Sequence, residues 1–299
     1  DGCGLTREED CDGIEQAVSG LLACFATLMN RKNAMGGKRI AVITGSTGGI
    51  GGAIADQLAA SGWHLVLVNR NDTKAQAQKA DLQADHPSIK VDTVTADLMD
   101  VAQIKAAART IGSMHPKLDL LFNNSGVLTS ERVMSVQGHV SNYAVNTLAP
   151  YVMTQGLRPA LRSQHVGSKS MIVNTTSSAH NAAKSLDTAT LSDPKDIGGL
   201  TGAYATTKLA LTTMGTAMES ELEAEGIMIR SVCPGPVVTP MTKTSDAMPG
   251  ILKLLVPLLF KSPDKQAAKM IYAAQTENYG GKTGIYITNG KEKPLPRLA

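Results

Sequence analysis

The sequence predicts an α/β fold on a doubly wound parallel sheet, and three observations carry that expectation. Short runs that are almost wholly apolar recur along the chain, among them Ile40–Thr44, His64–Asn69 and Ser170–Thr175. Segments with apolar residues at three- and four-residue spacing separate them. No linker rich in Pro, Gly or Ser interrupts this alternation between residues 39 and 299, so that span reads as one domain. A strand that is apolar throughout is buried on both faces, as in a parallel sheet covered by helices on both sides. Right-handed crossovers repeated in one direction and then the other wind such a sheet doubly.

Taken in order, Ile40–Thr44 is the first strand and Gly49–Ser61 the first helix, ended by Gly62. Strand His64–Asn69, helix Thr73–Asp85, strand Val91–Thr95 and helix Val101–Ile111 follow. Leu118–Phe122 reads as a strand and Ser135–Leu161 as one long helix. Strand Ser170–Thr175, helix Tyr204–Glu225 ended by Gly226, strand Ile227–Cys233 and a late strand Gly284–Ile287 complete the set.

Residues 1–38 read as an extension. Asp10 or Asp12 is placed to cap an amphipathic helix over 14–30, whose stripe is Ile14, Ala17, Val18, Leu21, Leu22, Phe25, Leu28 and Met29. Such a stripe packs on its own protein or docks on a membrane or partner. Gly36-Gly37 marks a break after it. The acidic stretch Glu8, Glu9, Asp10, Asp12 does not suit a secretory signal. A start at Asp1 fits a processed precursor or an incomplete sequence. The expected location is intracellular, with an organelle, in the case of a processed start, or a membrane surface as the particular options.

Composition excludes several classes. Aromatics make up 3%, too few for the stacking platforms of a single-strand nucleic-acid binder. The net charge of +3 is spread without a Lys/Arg block, so no nucleic-acid partner is expected. Cys3, Cys11, Cys24 and Cys233 form no CxxC pair, and no metal site is expected. They read as free thiols in a reducing compartment, with a Cys3–Cys11 disulfide as the alternative.

The first strand runs straight into Thr44-Gly45-Ser46-Thr47-Gly48-Gly49-Ile50-Gly51. Between a strand and a helix, such a turn suits a dinucleotide: Gly45 for the tight turn, Gly49 for close approach to a pyrophosphate, Gly51 for packing of helix near sheet. The fold class is therefore of the Rossmann type. At the end of the second strand, an acid would hydrogen-bond an adenosine ribose diol. Here stand Asn69-Arg70-Asn71, and Arg70 is suited to a 2′-phosphate. This favours NADP(H) over NAD(H).

Tyr204 and Lys208 are four apart at the start of a helix and share a face. An ammonium beside a phenol favours phenolate and suits Tyr204 to acid/base work near neutrality. The strand ending in Thr175-Thr176-Ser177-Ser178 puts hydroxyls at its carboxyl end, where parallel sheets bind ligands and where a donor can stabilise a developing oxyanion.

From Lys38 to Asn289 the order and spacing of these motifs resemble the short-chain dehydrogenase/reductase family. Further matches are Asp97-Leu98, Asn123-Asn124-Ser125-Gly126, Asn146 in Asn142–Asn146, and Pro234–Thr239. The resemblance implies that Tyr204 is the acid/base, that Lys208 lowers its pKa and holds the nicotinamide ribose, that Ser177 orients the substrate oxygen and that Asn146 helps hold a water. It implies cofactor contacts from Gly45, Ser46, Thr47, Gly49, Ile50, Gly51, Arg70, Asp97 at the adenine, Leu98, Asn124, Gly126, Pro234, Gly235, Val237 and Thr239. Ser177 is chosen over Ser178 because Thr175–His180 aligns with the family's V-S-S-x-A-H form, with Thr176 in place of the first Ser.

A finer resemblance is to the retinol dehydrogenase-like branch. It rests on Ala179-His180, on the 27-residue step from Ser177 to Tyr204 and on Leu254–Pro263. It implies an apolar alcohol or aldehyde and membrane association. Residues 251–260 lie where the family builds a substrate lid, and a helix packed on the core is the other reading of that stretch. Contact with a membrane or a protein complex is expected through residues 14–30 or 251–260. The expected activity is hydride transfer between NADP(H) and a carbonyl/alcohol pair of a lipophilic small molecule. The alternative is a catalytically idle, cofactor-binding subunit of a larger, organellar membrane assembly.

Overall fold

A computed structural model describes residues 38–162, 169–183, 185–237 and 261–295. The expected helix 14–30, Thr239 and the stretch 251–260 lie outside the described residues. β1 (Ile40–Thr44), β2 (His64–Asn69), β3 (Val91–Thr95), β4 (Leu120–Asn123), β5 (Ser170–Thr175), β6 (Ile227–Cys233), β7 (Ile285–Thr288) and β8 (Lys291–Lys293) form one sheet. Its order is β3-β2-β1-β4-β5-β6-β7-β8. The first seven strands are parallel and β8 pairs antiparallel at the edge. The chain winds outward from β1 one way, returns to β4 and winds the other way. The reversal between β1 and β4 opens a crevice at the carboxyl ends of the strands.

The apolar strands serve two layers. Ala41, Ile43, Leu65 and Leu67 point into one core, beneath α1 (Gly49–Ala60) and α2 (Asp72–Asp85). Val42, Val66 and Val68 point into the other, beneath α3 (Val101–Met114) and α4 (Ala149–Leu161). α5 (Ala203–Ala217) and α6 (Glu219–Glu223) follow β5 and its loop. α7 (Pro263–Ala273) packs beside α1 in the first layer.

Two expectations need correction. Ser135–Leu161 is not one helix: Ser135 N donates to His139 O at 2.7 Å and Met134 bridges Val140, so the chain turns back before a helix opens at Ser141. That helix widens into a π-turn over Ala144–Leu148 before α4 begins. The helix expected over Tyr204–Glu225 is divided at Met218 into α5 and α6. α7 and β8 were not anticipated. Ser262 caps α7, its Oγ accepting from Lys265 N, and Pro263 takes the first turn, where its missing N–H costs nothing.

Arg230 ties the carboxyl half together. It is fully buried in β6, and its guanidinium donates to the carbonyls of Ala273, Gln275, Thr276, Asn278 and Lys282 at 2.6–3.1 Å. These carbonyls lie at the end of α7 and in the turn after it, where the helix supplies no donors of its own. Burial lowers its pKa to about 10, so it remains a cation at neutral pH. Arg230→Met is expected to leave five carbonyls short of a donor and to cost about 3–5 kcal/mol. A thermal melt should fall by roughly 6–15 °C. Arg230→Lys, with the charge but not the fork, should recover only part; a Met variant melting within about 2 °C of the parent would contradict this role.

Candidate active site

The crevice is a cleft of about 1020 Å³ running from Arg70 and Lys74 past the glycine turn to Tyr204. Its floor is set by the turn after β1. Gly45 has φ +68°, and a Cβ there would lie 2.6 Å from Ser125 Oγ. A Cβ on Gly51 would lie 2.1 Å from Gly45 O. Gly51 is therefore small because α1 closes both on its own loop and on Asn124, which directly follows β4, where the Cβ would lie 2.5 Å from Nδ2. No side chain caps α1, and Thr47, Gly48, Gly49 and Ile50 line the cleft at its amino end. That arrangement favours an anion.

Two asparagines hold the turn in place. Asn69 Oδ1 accepts from Ser46 N at 2.9 Å and Thr47 N at 3.3 Å, and its Nδ2 donates to Ser46 Oγ at 2.8 Å. Asn124 Nδ2 donates to Thr44 O at 3.1 Å and Gly45 O at 3.2 Å. Ser46 and Gly51 thus shape the loop without lining the cleft, while Asn124 does both. At the far end, Asp97 Oδ1 accepts from Met99 N at 2.9 Å, and Asp97 and Leu98 line the wall. Asn71 caps α2 by accepting from Lys74 N, which places Lys74 and Arg70 on the same lip. Lys74 was not singled out in the sequence; a lysine at the first turn after Arg70 was the available signal.

The chemistry lies at the other end. Ser177 leads a 3₁₀ turn, Ser178–Ala182, its Oγ accepting from Ala179 N at 3.2 Å, and it lines the cleft together with Tyr204 near the start of α5. Ser178 instead gives its N–H to Cys233 Sγ at 3.1 Å. Lys208 is buried, and its Nζ donates to Thr175 O at 2.9 Å while lying 5.9 Å from the Tyr204 ring centroid. Burial lowers the lysine pKa to about 8. Burial also pushes the Tyr204 phenol up to about 12, against the pull of Ser177. In the protein alone, desolvation therefore outweighs the effect expected of the ammonium, and Tyr204 is a neutral phenol.

Asn146 is fully buried in the π-turn and does not line the cleft. Its amide pairs with the main chain of Val127, accepting from N at 2.8 Å and donating to O at 2.9 Å, and Nδ2 also reaches Thr207 Oγ1 on α5. Its side chain thus fixes the Asn124–Leu128 wall against the helix that carries Tyr204. Gly126, Pro234, Gly235 and Val237 line the cleft. Among the described residues, no cluster suits a metal ion.

Beside Tyr204 the wall turns apolar, with Leu128, Ala179 and Leu200 packed against the ring. The long step from Ser177 to Tyr204 builds part of it. Val140 N donates to Ser192 O at 2.9 Å, Arg132 pairs with Asp193 and donates to Pro194 O at 2.8 Å, and Ile197 packs on Val140 and Ala203. Leu200 and Thr201 are thereby held at the cleft. No helix among the described residues is long and apolar enough to cross a membrane.

A family model described as short chain dehydrogenase matches residues 39–189 and 195–250. Polyprenol dehydrogenase of Homo sapiens is 31% identical over 262 residues, spanning 85% of this chain and 78% of that protein. The chloroplastic short-chain dehydrogenase TIC 32 B of Brassica napus is 29% identical over 255 residues, 83% of this chain and 79% of that one. Among solved structures, an NADP active-site complex of RhlG from Pseudomonas aeruginosa superposes with a TM-score of 0.67 at 24% identity, over 85% of this chain and 95% of that one.

Proposed function

The chain belongs to the short-chain dehydrogenase/reductase family, in its retinol dehydrogenase-like branch, and we propose that it moves a hydride between NADP(H) and the carbonyl/alcohol pair of a lipophilic substrate. It is an NAD(P)-dependent oxidoreductase acting on CH–OH or C=O groups. The observation that carries the finer reading is the place of the Tyr204 hydroxyl. It stands in the cleft with Ser177 where a polar cradle gives way to the apolar wall of Leu128, Ala179 and Leu200. The polyprenol dehydrogenase relatives support an apolar alcohol or aldehyde in the same direction.

The glycine turn, the uncapped start of α1 and the elongated cleft fit a dinucleotide. When bound, the nicotinamide supplies or accepts the hydride. For reduction, neutral Tyr204 donates its proton to the carbonyl oxygen, and Ser177 donates to the same oxygen as its charge grows. The Lys208 ammonium, held by Thr175 O, stabilises the phenolate that remains. Arg70 and Lys74, with no acid at the end of β2, support the 2′-phosphate form. We place the domain boundary at residue 38, ahead of β1, and assign residues 14–30 and 251–260 to membrane or partner contact. A subunit that only binds cofactor would have no use for the buried Tyr204 and Lys208 beside Ser177.

With NADPH and aldehydes of increasing chain length, turnover should rise with apolar length. Tyr204→Phe should lower kcat by roughly 10²–10⁴-fold while NADPH affinity stays within about threefold, under roughly 1 kcal/mol. A Phe variant that kept most of its rate would remove the acid/base assignment. Arg70→Asp should weaken NADPH at least about tenfold more than NADH, a difference of about 1.4 kcal/mol. Equal losses in fluorescence titrations with the two cofactors would contradict the phosphate contact.

A further inference from the structure

His180 closes the 3₁₀ turn that Ser177 opens, and nothing in the reaction described above uses it. Its backbone N donates to Ser177 O at 3.1 Å, so the ring is rigidly related to Ser177. The ring is fully buried and points away from the cleft, its Nδ1 lying 3.2 Å from Thr212 Oγ1 on α5. Thr212 sits one turn beyond Lys208, and its hydroxyl donates to Lys208 O at 2.8 Å.

The proton positions follow from this. Thr212 has one hydroxyl proton and spends it on Lys208 O, so toward His180 it can only accept. His180 Nδ1 therefore carries the hydrogen. Nε2 is buried without a hydrogen-bond partner, beside the Tyr286 ring of β7 at 4.6 Å between centroids. Among the described residues no carboxylate is bonded to the ring, and the elements around it carry none toward it: α5 brings Tyr204 and Lys208, β6 Arg230 and Cys233, and β7 Tyr286. Burial lowers the imidazole pKa, and the ring is neutral.

We propose that His180 is a positioning residue, a neutral strut whose Nδ1–H fixes the Ser177 turn to the segment of α5 that carries Tyr204 and Lys208. The two catalytic hydroxyls stand on different elements, and bringing both to one substrate oxygen needs those elements in register. The Asn146 contact ties α5 to the Val127 wall on one side. The His180–Thr212–Lys208 chain ties it to the β5 end on the other. A misplacement on the order of 1 Å in such a pair costs up to about 10²-fold in rate.

The strut rests on the hydride-transfer reading for its kinetic effect, but its proton placement can be read without turnover. The protein has six histidines. Long-range ¹H–¹⁵N spectra of histidine-labelled protein, with His180 assigned by the loss of its signal in His180→Asn, should show Nδ1 protonated and Nε2 bare at pH 7. An Nε2–H tautomer or an imidazolium overturns the strut whatever the substrate. In turnover, His180→Leu keeps bulk but has no donor, and kcat should fall about 10–100-fold with NADPH affinity within about threefold. His180→Asn, whose side-chain N–H₂ can stand in for Nδ1–H, should restore kcat to within about fivefold of the parent. Thr212→Val should resemble His180→Leu, and the double variant should be no worse than either single one. Equal losses in the Leu and Asn variants, or a Leu variant at the parent rate, overturn the proposal. Should no carbonyl be turned over by the parent, the hydride reading fails, and the tautomer still decides the strut.

Discussion

The site depends on placing an ammonium and a phenol together in a desolvated wall. Lys208 gives up water for one carbonyl, Thr175 O, and that bond holds it behind Tyr204. Burial acts oppositely on the two groups, lowering the lysine pKa to about 8 and raising the phenol to about 12. Each is thereby pushed toward its neutral form. For the tyrosine this suits a proton donor. For the lysine it brings deprotonation close to working pH, so the charge that would stabilise a phenolate is available only over part of the pH range.

The rest of the structure keeps that pair in place. Two apolar layers clamp a sheet whose seven parallel strands end at one edge, and the reversal between β1 and β4 opens the crevice there. Polar residues appear in the strands at that edge: Asn123, Asn174 and Ser231 lie in register across β4, β5 and β6. Asn69, Asn124 and Asn146 each spend a side-chain amide on main-chain groups of a site loop. Arg230 performs the equivalent service for the turn between α7 and β7. The cleft is shaped by amides bonding backbone as much as by the residues that face it.

What was legible in the sequence was what is local. The glycine turn, the Tyr204–Lys208 spacing and the hydroxyl-rich end of β5 each lie within one short segment, and their order along the chain gave the sheet. Ser177 rather than Ser178 could be chosen from the motif, and the Ser178 N–H is taken up by Cys233 Sγ. Pairings between distant segments were not legible. Nothing near Asn69 says that it holds Ser46, 23 residues away. Nothing near Asn146 says that its amide meets Val127. The helical pattern over Ser135–Leu161 hid a turn, because the pairing of Met134 with Val140 overrides local spacing. The Tyr204 pKa was misjudged because the effect of Lys208 is readable from spacing while burial is a property of the folded wall.

The most direct test of this account is the pH dependence of kcat/KM for NADPH at saturating carbonyl substrate, which reports the essential groups of the free enzyme. Lys208, with its pKa lowered to about 8, is an ammonium below that pH and loses its charge as pH rises through it. Tyr204, pushed up to about 12, stays protonated across the same range. The account predicts a level profile from about pH 6 to 8 and a fall above it governed by one group near 8. A profile that stays level to pH 10, or whose governing ionisation requires a deprotonated group below pH 8, would contradict it.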